Sequence, residues 1–289
     1  MNRPTRKGWK RYVIWGAVVC IGSFLIFLYY FTNPSKKSNH ELPDSSYFIA
    51  HGTGSLDGYT YLNSKESLLN ALDNGYQYIE VDLGYTSDST VVCVHEWKRF
   101  NKMTIEGISE NDSDQYSRIP SLEEFKQRKI YGKYSPMTLD EVVQIWKERP
   151  FKLVLDKFDI TEDLNKFFPK EKRGEIMVEA YTEEGFEELK AAGYIPMVST
   201  EGLNLMDCIS FIWSHLFSGR GYWVVVEQRE SSMRGLRLLK KLFGLKYAMY
   251  TVNSPWFYRE CLGSDVELVY TDNWDLKRQI NTFQDNDTY

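Results

Sequence analysis

The chain lacks an excess of positive charge beyond its first eleven residues. Of the 35 basic side chains in 289 residues, five lie in the first eleven residues, which hold none of the 40 acidic ones. The rest of the chain therefore carries 30 basic against 40 acidic residues, a formal charge of −10. Such a surface repels a phosphate backbone, so we expect no nucleic-acid partner.

Cysteine is also scarce. Cys20 lies in an apolar run, and Cys93, Cys208 and Cys261 form an odd, widely spaced set. This pattern excludes a disulfide framework and a zinc site, and it predicts small buried residues with at most one bridge. A glycine-rich phosphate-binding fingerprint is absent as well, which disfavours a doubly wound open sheet.

An uncharged apolar run fills residues 12–31 and matches the length of about 20 residues that spans a bilayer as a helix. A cleaved signal peptide is the alternative, but the run ends in bulky FLYYF and has no small-residue cleavage site. More basic residues precede the run than follow it, so the N-terminus is expected in the cytoplasm. The sequence thus predicts a single-pass anchor in the cell membrane.

The anchor divides the chain into expected parts. Residues 1–11 form a cytoplasmic tail, 32–46 a polar linker rich in Ser and Pro, and 47–289 one domain outside the cytoplasm. Within that domain, short apolar runs alternate with amphipathic stretches, of which two begin at the helix caps Ser64 and Thr138.

Eight of the apolar runs read as buried parallel strands. They are YFIAH, YIEVDL, KLVLD, IMVEAY, IPMVST, YWVVVE, YAMYTV and LVYTD. Eight strands separated by helices predict a closed TIM (β/α)8 barrel, with a small insertion after the second strand; a doubly wound sheet is the alternative.

Polar residues gather at the expected carboxyl ends of these strands, where barrel enzymes carry their reactive groups. His51 ends the first strand, and Asp156-Lys157 end the third. Glu80 and Asp82 lie two residues apart on the second strand and share one face. Two such carboxylates repel each other unless a cation lies between them, although on a solvated face they would be ordinary.

The second strand turns back through SDST and ends its return run at His95. A two-residue loop at Asp88-Ser89 would set His95 opposite Asp82, on the face that carries Glu80. A lone strand-end histidine is more often structural. The convergence of several polar groups at one rim favours a functional site.

Six motifs occur in the order and context of one known family. They are IAHG (49–52), IEVDL (79–83), TSDSTVVCVHE (86–96), MTLDEV (137–142), YTVN (250–253) and VYTDN (269–273). This pattern resembles the glycerophosphodiester phosphodiesterase family, a TIM-barrel family in the superfamily of phosphatidylinositol-specific phospholipase C. The likeness runs from residue 47 to about residue 276.

The resemblance implies a reaction and a set of site residues. Glu80, Asp82 and Asp156 match ligands of a divalent metal ion, Ca²⁺ or Mg²⁺, and oxygen ligands suit these ions. His51 and His95 match the paired general base and general acid, in either order. Lys157 would contact the phosphate, and Tyr250 would line the pocket or belong to the core.

Four departures from the family pattern accompany the resemblance, one of which is Trp274 where the family often has Pro. Gly52 stands where the family usually has Arg, Leu62-Asn63-Ser64 replaces Glu-Asn-Thr, and Asp156-Lys157 replaces Glu-x-Lys. The insertion between Trp97 and Pro136 carries Lys, Arg and Tyr residues that suit an anionic head group or form an ordinary solvated cap.

Together these observations predict a membrane-anchored, metal-dependent phosphodiesterase. Its partner would be a glycerophosphodiester-type substrate from lipid, teichoic acid or a surface glycan. The attacking group is water or a neighbouring substrate hydroxyl, which would form a cyclic phosphate as in lyase-type relatives. The alternative from another class is a non-catalytic relative that binds a phosphorylated glycan.

Overall fold

Eight parallel strands close into a barrel. The computed structural model describes residues 6–32, 47–108, 113–158, 160–201, 222–228, 233–255, 257–258 and 266–273. The barrel strands are β1 (Phe48–Ala50), β2 (Tyr78–Tyr85), β4 (Lys152–Asp156), β5 (Ile176–Ala180), β6 (Ile195–Ser199), β7 (Trp223–Glu227), β8 (Lys246–Tyr250) and β9 (Leu268–Thr271). The first strand pairs with both β2 and β9, which closes the sheet and confirms the TIM barrel over the open sheet.

The inside of the barrel has an apolar layer beneath a polar one. Ile49, Val154, Met177 and Val225 belong to one buried cluster contributed by different strands. Side chains two residues further along a strand share its face, so Asp156 lies above Val154 at the end of β4. The strand pattern therefore fills the barrel below and aims polar groups at its carboxyl rim.

Helices follow the strands around the outside. They are α2 (Lys65–Asp73), α6 (Leu139–Glu148), α7 (Thr161–Phe167), α8 (Glu183–Ala192) and α9 (Met233–Phe243). The expected caps are confirmed, because the side chains of Ser64 and Thr138 accept hydrogen bonds from the backbone N–H groups of Ser67 and Glu141. The sequence also predicts an apolar helix around CISFIWSHLF (208–217), and this segment lies outside the described residues.

The predicted insertion is confirmed as a small unit with its own core. It contains α3 (Trp97–Thr104), α4 (Ser113–Ser117) and α5 (Leu122–Gln127). Phe100 and Phe125 stack with ring centroids 4.9 Å apart, and they pack with Leu62 and Val94. This shared core attaches α3 to the loop that follows the first strand.

The predicted hairpin register is wrong by one residue. The return strand β3 (Val91–Cys93) pairs antiparallel with β2, setting Leu83 opposite Cys93 and Tyr85 opposite Val91. Thr86 and Thr90 face each other through a 3.0 Å hydrogen bond, so three residues form the loop instead of two. Ser89 adopts a left-handed conformation with φ of 63°, which this longer loop requires.

The extra loop residue changes what lies opposite the carboxylates. Val94, not His95, donates its backbone N–H to the carbonyl of Asp82, at 2.9 Å. Compared with the predicted register, a shift of one residue turns each side chain of the paired part of β3 to the opposite face of the hairpin. His95 escapes this reversal because it lies beyond the end of β3.

The expected membrane anchor is not supported. Helix α1 spans Arg6–Thr32, but within the described part of the chain no helix is long and apolar enough to cross a bilayer.

The free cysteines among the described residues are Cys20 and Cys93, and Cys93 is buried as expected. Cys208 and Cys261 lie outside the described residues, as do the linker at 33–46 and the chain after residue 273.

Candidate active site

Three carboxylates meet at the carboxyl rim of the barrel. Glu80 and Asp82 project from β2, and Asp156 ends the neighbouring β4, where it is the register partner of Asp82. Each of the three offers an oxygen within 4.8 Å of the other two. All three are buried, and Asp82 is fully inaccessible.

The electrostatics of this acidic cluster call for a cation. Burial, followed by repulsion from Asp82 and Asp156, raises the pKa of Glu80 well above its ordinary value. Burial and the charge of Asp82 likewise raise the pKa of Asp156. Oε1 of Glu80 and Oδ1 of Asp82 are buried without a hydrogen-bond partner among the described residues. Two such oxygens beside a third carboxylate fit a hard divalent cation, which takes oxygen ligands.

The other oxygens of the acidic cluster are held in place. Oε2 of Glu80 accepts the backbone N–H of Gly52 at 2.5 Å. Oδ2 of Asp82 accepts from Nδ2 of Asn63 at 2.8 Å, and Oδ1 of Asn63 accepts the backbone N–H of Asp82 at 3.2 Å. These bonds leave one oxygen of each carboxylate free for a ligand, with the geometry of the other fixed.

His51 lies in a short 3-10 turn, residues His51–Thr53, directly after β1. Its Nδ1 is 3.0 Å from Oδ1 of Asp272, which follows β9, the strand paired with β1. Burial opposes ionisation of Asp272, but the hydrogen bonds from His51 and Asn253 hold the pKa of Asp272 below its ordinary value. An ionised Asp272 fixes the Nδ1–H tautomer and leaves Nε2 of His51 to exchange a proton.

His95 reaches the same cavity from the irregular segment after β3. Its Nδ1 is buried and has no hydrogen-bond partner in the described part of the chain. The aromatic ring of Tyr61 contacts it, with ring centroids 5.1 Å apart. The structure therefore brings both predicted histidines together, although by a different register from the one expected.

Both histidines and Asp156 share one cavity of about 140 Å³. It is lined by His51, Tyr61, His95, Asp156, Lys157, Glu179, Glu201, Tyr250 and Tyr270. A larger groove of about 570 Å³ lies between the β2–β3 hairpin and α7, but none of the predicted site residues lines it. The smaller cavity contains both predicted histidines.

The two predicted substrate-binding residues also face this cavity. Nζ of Lys157 lies 3.8 Å from Asp156 and 2.5 Å from Glu201, so an ammonium is present at the site but tied to carboxylates. Lys157 has φ of 60°, which turns its side chain back beside Asp156. Tyr250 ends β8 and lines the cavity wall.

Sequence reasoning assigned no role to three polar residues of the site. Asp272 orients His51, and Asn63 holds Asp82. Glu179 on β5 is fully buried and accepts from the hydroxyl of Tyr270 at 2.7 Å; burial, with the charge of Asp156, raises its pKa well above the ordinary value. A signal was present for Asp272 and Glu179, since both sit at strand ends.

The structure explains why glycine occupies position 52. Gly52 has φ of 54°, and a Cβ there would lie 2.8 Å from Cα of Tyr61. Any larger residue would therefore displace the Tyr61 segment or the bond to Glu80. The departure from the family pattern at Gly52 belongs with the presence of Tyr61 in the cavity.

A closed barrel with paired imidazoles and an acidic cluster at its carboxyl rim defines an enzyme of the TIM-barrel hydrolase class. Residues 55–180 match the sequence model of the Glycerophosphoryl diester phosphodiesterase family. This match confirms, over residues 55–180, the resemblance noted in the sequence.

Solved structures show the same fold. A phosphodiesterase from Oleispira antarctica, in complex with the product sn-glycerol-3-phosphate, is 16% identical with a TM-score of 0.61, and the match covers 83% of this chain and 96% of that one. A glycerophosphodiester phosphodiesterase from Parabacteroides distasonis is 16% identical with a TM-score of 0.60, covering 84% and 100%. No curated protein sequence gives a match.

Proposed function

We propose that this protein hydrolyses glycerophosphodiester-type substrates with a divalent metal ion, Ca²⁺ or Mg²⁺, and a pair of histidines. The observation that carries the proposal is that His51, His95 and Asp156 line one cavity, and that Asp156 shares a buried acidic cluster with Glu80 and Asp82. A module that only binds phosphate has no use for an imidazole pair, one member of which is oriented by a carboxylate.

Each residue has a role in the proposed reaction. A cation on Glu80, Asp82 and Asp156 would act as a Lewis acid toward the phosphate oxygens. The bond between Nδ1 of His51 and Asp272 leaves Nε2 of His51 to accept or donate a proton at the phosphate. His95 would do the converse on the other side of the phosphate.

The neighbouring residues would bind the substrate. Lys157 supplies an ammonium group near the phosphate oxygens, and it would exchange its contact with Glu201 for one with the substrate. Tyr250 presents an aromatic wall to the substrate. The small cavity suits a glycerol-phosphate unit, and the Oleispira antarctica relative holds sn-glycerol-3-phosphate as its product.

The test is turnover by the full chain on glycerophosphodiesters with different alcohols, on lipid and on a glycerol-phosphate polymer. Each substrate is measured with Ca²⁺, with Mg²⁺ and with a chelator. His51→Ala and His95→Ala should each lower kcat by roughly 10²- to 10⁴-fold, the range that general acid–base catalysis supplies. Asp140→Asn, at an exposed position on α6, is the surface control and should keep full activity.

Product analysis separates the competing functions. Phosphorus NMR that shows a phosphomonoester supports hydrolysis, whereas a cyclic phosphate as the final product would indicate the lyase-type reaction. Absence of turnover on every diester, combined with binding of the same compounds, would favour the non-catalytic relative.

For the location we propose the arrangement that the sequence suggests, with the barrel outside the cytoplasm and the N-terminus inside. It is supported by the uncharged run at 12–31 and by the five basic residues before it. Cell fractionation and protease accessibility of the barrel test it; recovery of the full chain in the soluble fraction would refute it.

A further inference from the structure

Tyr61 lies between the two candidate catalytic histidines. Its ring centroid is 4.3 Å from that of His51, at an interplanar angle of 62°, and 5.1 Å from that of His95, at 79°. One aromatic side chain is thus in contact with both imidazoles. The separation of the two imidazoles cannot exceed the sum of these two distances.

The two histidines are held by different means. His51 has Asp272 as a hydrogen-bond partner for Nδ1. The Nδ1 atom of His95 is buried and has no hydrogen-bond partner among the described residues. The orientation of His95 must therefore come from packing, and Tyr61 is the ring packed against it.

Tyr61 is itself fixed from two directions. Its backbone has φ of 55°, an uncommon conformation for an aromatic residue, and it lies so close to Gly52 that a side chain there would collide with it. The guanidinium carbon of Arg99 lies 4.5 Å from the ring centroid, and Nη2 of Arg99 donates to the carbonyl of Thr60 at 3.1 Å. This cation–π contact and the hydrogen bond connect α3 of the insertion to the loop that carries Tyr61.

We propose that Tyr61 is a positioning residue that sets the separation and orientation of His51 and His95, and that Arg99 secures it in that place. The inference rests on the proposed phosphodiesterase function. An acid and a base that act on opposite sides of one phosphate must be placed closely, since an error of about 1 Å can lower the rate roughly 100-fold. The insertion thereby contributes to catalysis without supplying a group that reacts.

The ring and the hydroxyl of Tyr61 can be tested separately. The hydroxyl lies beside Thr251, whereas the ring contacts the histidines. Tyr61→Phe removes only the first interaction and Tyr61→Leu removes both. Tyr131→Leu, at a partly exposed position in the insertion, is the matched control for loss of an aromatic ring.

The experiment measures kinetics and histidine NMR spectra of the full chain. Tyr61→Leu should lower kcat by about 10- to 100-fold with a much smaller change in KM, and Tyr61→Phe should recover most of kcat. With only four histidines in the sequence, the imidazole resonances can be assigned by single His→Gln variants. Those of His51 and His95 should shift in Tyr61→Leu and stay close to wild type in Tyr131→Leu.

Defined outcomes would overturn the proposal. One is a Tyr61→Leu variant with the wild-type kcat and unchanged His51 and His95 resonances. Another is a Tyr61→Phe variant that loses as much kcat as Tyr61→Leu, which would assign the role to the hydroxyl group. Should Tyr61→Leu fail to fold, Arg99→Gln replaces it. This variant should show a three- to tenfold fall in kcat and shifted His51 and His95 resonances. If neither kcat nor these resonances change in Arg99→Gln, the proposal is refuted. The NMR shifts need no turnover, so they separate this proposal from failure of the phosphodiesterase function.

Discussion

Replacing Asp82 with Asn should stabilise the protein in a chelator and destabilise it in the presence of the cation. Asp82 is buried, and one of its oxygens lies within 4.8 Å of an oxygen of Glu80 and an oxygen of Asp156. The substitution removes one negative charge from this acidic cluster. It also retains an oxygen that can accept the hydrogen bond of Asn63.

The magnitude follows from the distances. Two unit charges 4.8 Å apart repel by about 3.5 kcal/mol at an effective dielectric constant of about 20. Glu80 and Asp156 avoid part of that repulsion by retaining protons, as their raised pKa values indicate. We therefore expect the free energy of unfolding of Asp82→Asn in a chelator to rise by about 1–3 kcal/mol, or roughly 2–4 °C in Tm per kcal/mol.

The cation should reverse this order of stability. Wild-type protein at a Ca²⁺ or Mg²⁺ concentration 100 times its Kd gains about 2.7 kcal/mol, whereas Asp82→Asn, with one ligand charge fewer, gains far less. Urea unfolding of the full chain in a chelator and at several ion concentrations measures the free energy of unfolding without the ion and the gain that the ion gives. Asp140→Asn is the surface control. The reasoning is refuted if Asp82→Asn is the less stable protein in the chelator, or if neither ion stabilises the wild type.

Three further predictions follow from single features of the site and fold. The folded-state pKa values of Glu80 and Asp156 lie above their unfolded values, so in a chelator the contribution of these groups to the free energy of unfolding is fully present below about pH 4 and is lost as pH rises. Because a bound cation keeps both groups ionised, the gain in Tm on adding Ca²⁺ or Mg²⁺ should grow from pH 5 to pH 8. A gain in Tm that does not change with pH would contradict this prediction. Asp272→Asn should lower kcat by roughly 10²-fold or more with little change in KM, because the imidazole of His51 loses the carboxylate that fixes its tautomer; steady-state kinetics that show unchanged kcat would contradict that role. Ser64→Ala should lower the free energy of unfolding by about 1 kcal/mol, since it removes the N-cap of α2, and urea unfolding with no shift in midpoint would argue against it.

Much of the fold could be read from local patterns. The eight strands were recognisable because parallel strands covered on both faces are nearly continuous apolar runs, and the caps at Ser64 and Thr138 because their side chains act on the next few residues. The hairpin register failed because it depended on one loop residue, Ser89, in a left-handed conformation that its residue type does not require.

The sequence by itself determined the barrel, through apolar strands that alternate with helices. It also determined that Glu80 and Asp82 share one strand face, since side chains alternate along a strand, and that carboxylates and imidazoles would carry the chemistry. Only the tertiary structure decided how those residues meet. It placed Asp272 against His51 across 221 residues of chain, and it set Tyr61 between two histidines that no periodicity connects. Contacts between distant segments depend on closure of the barrel and on backbone conformations such as that of Gly52, which arise from packing and not from local preference.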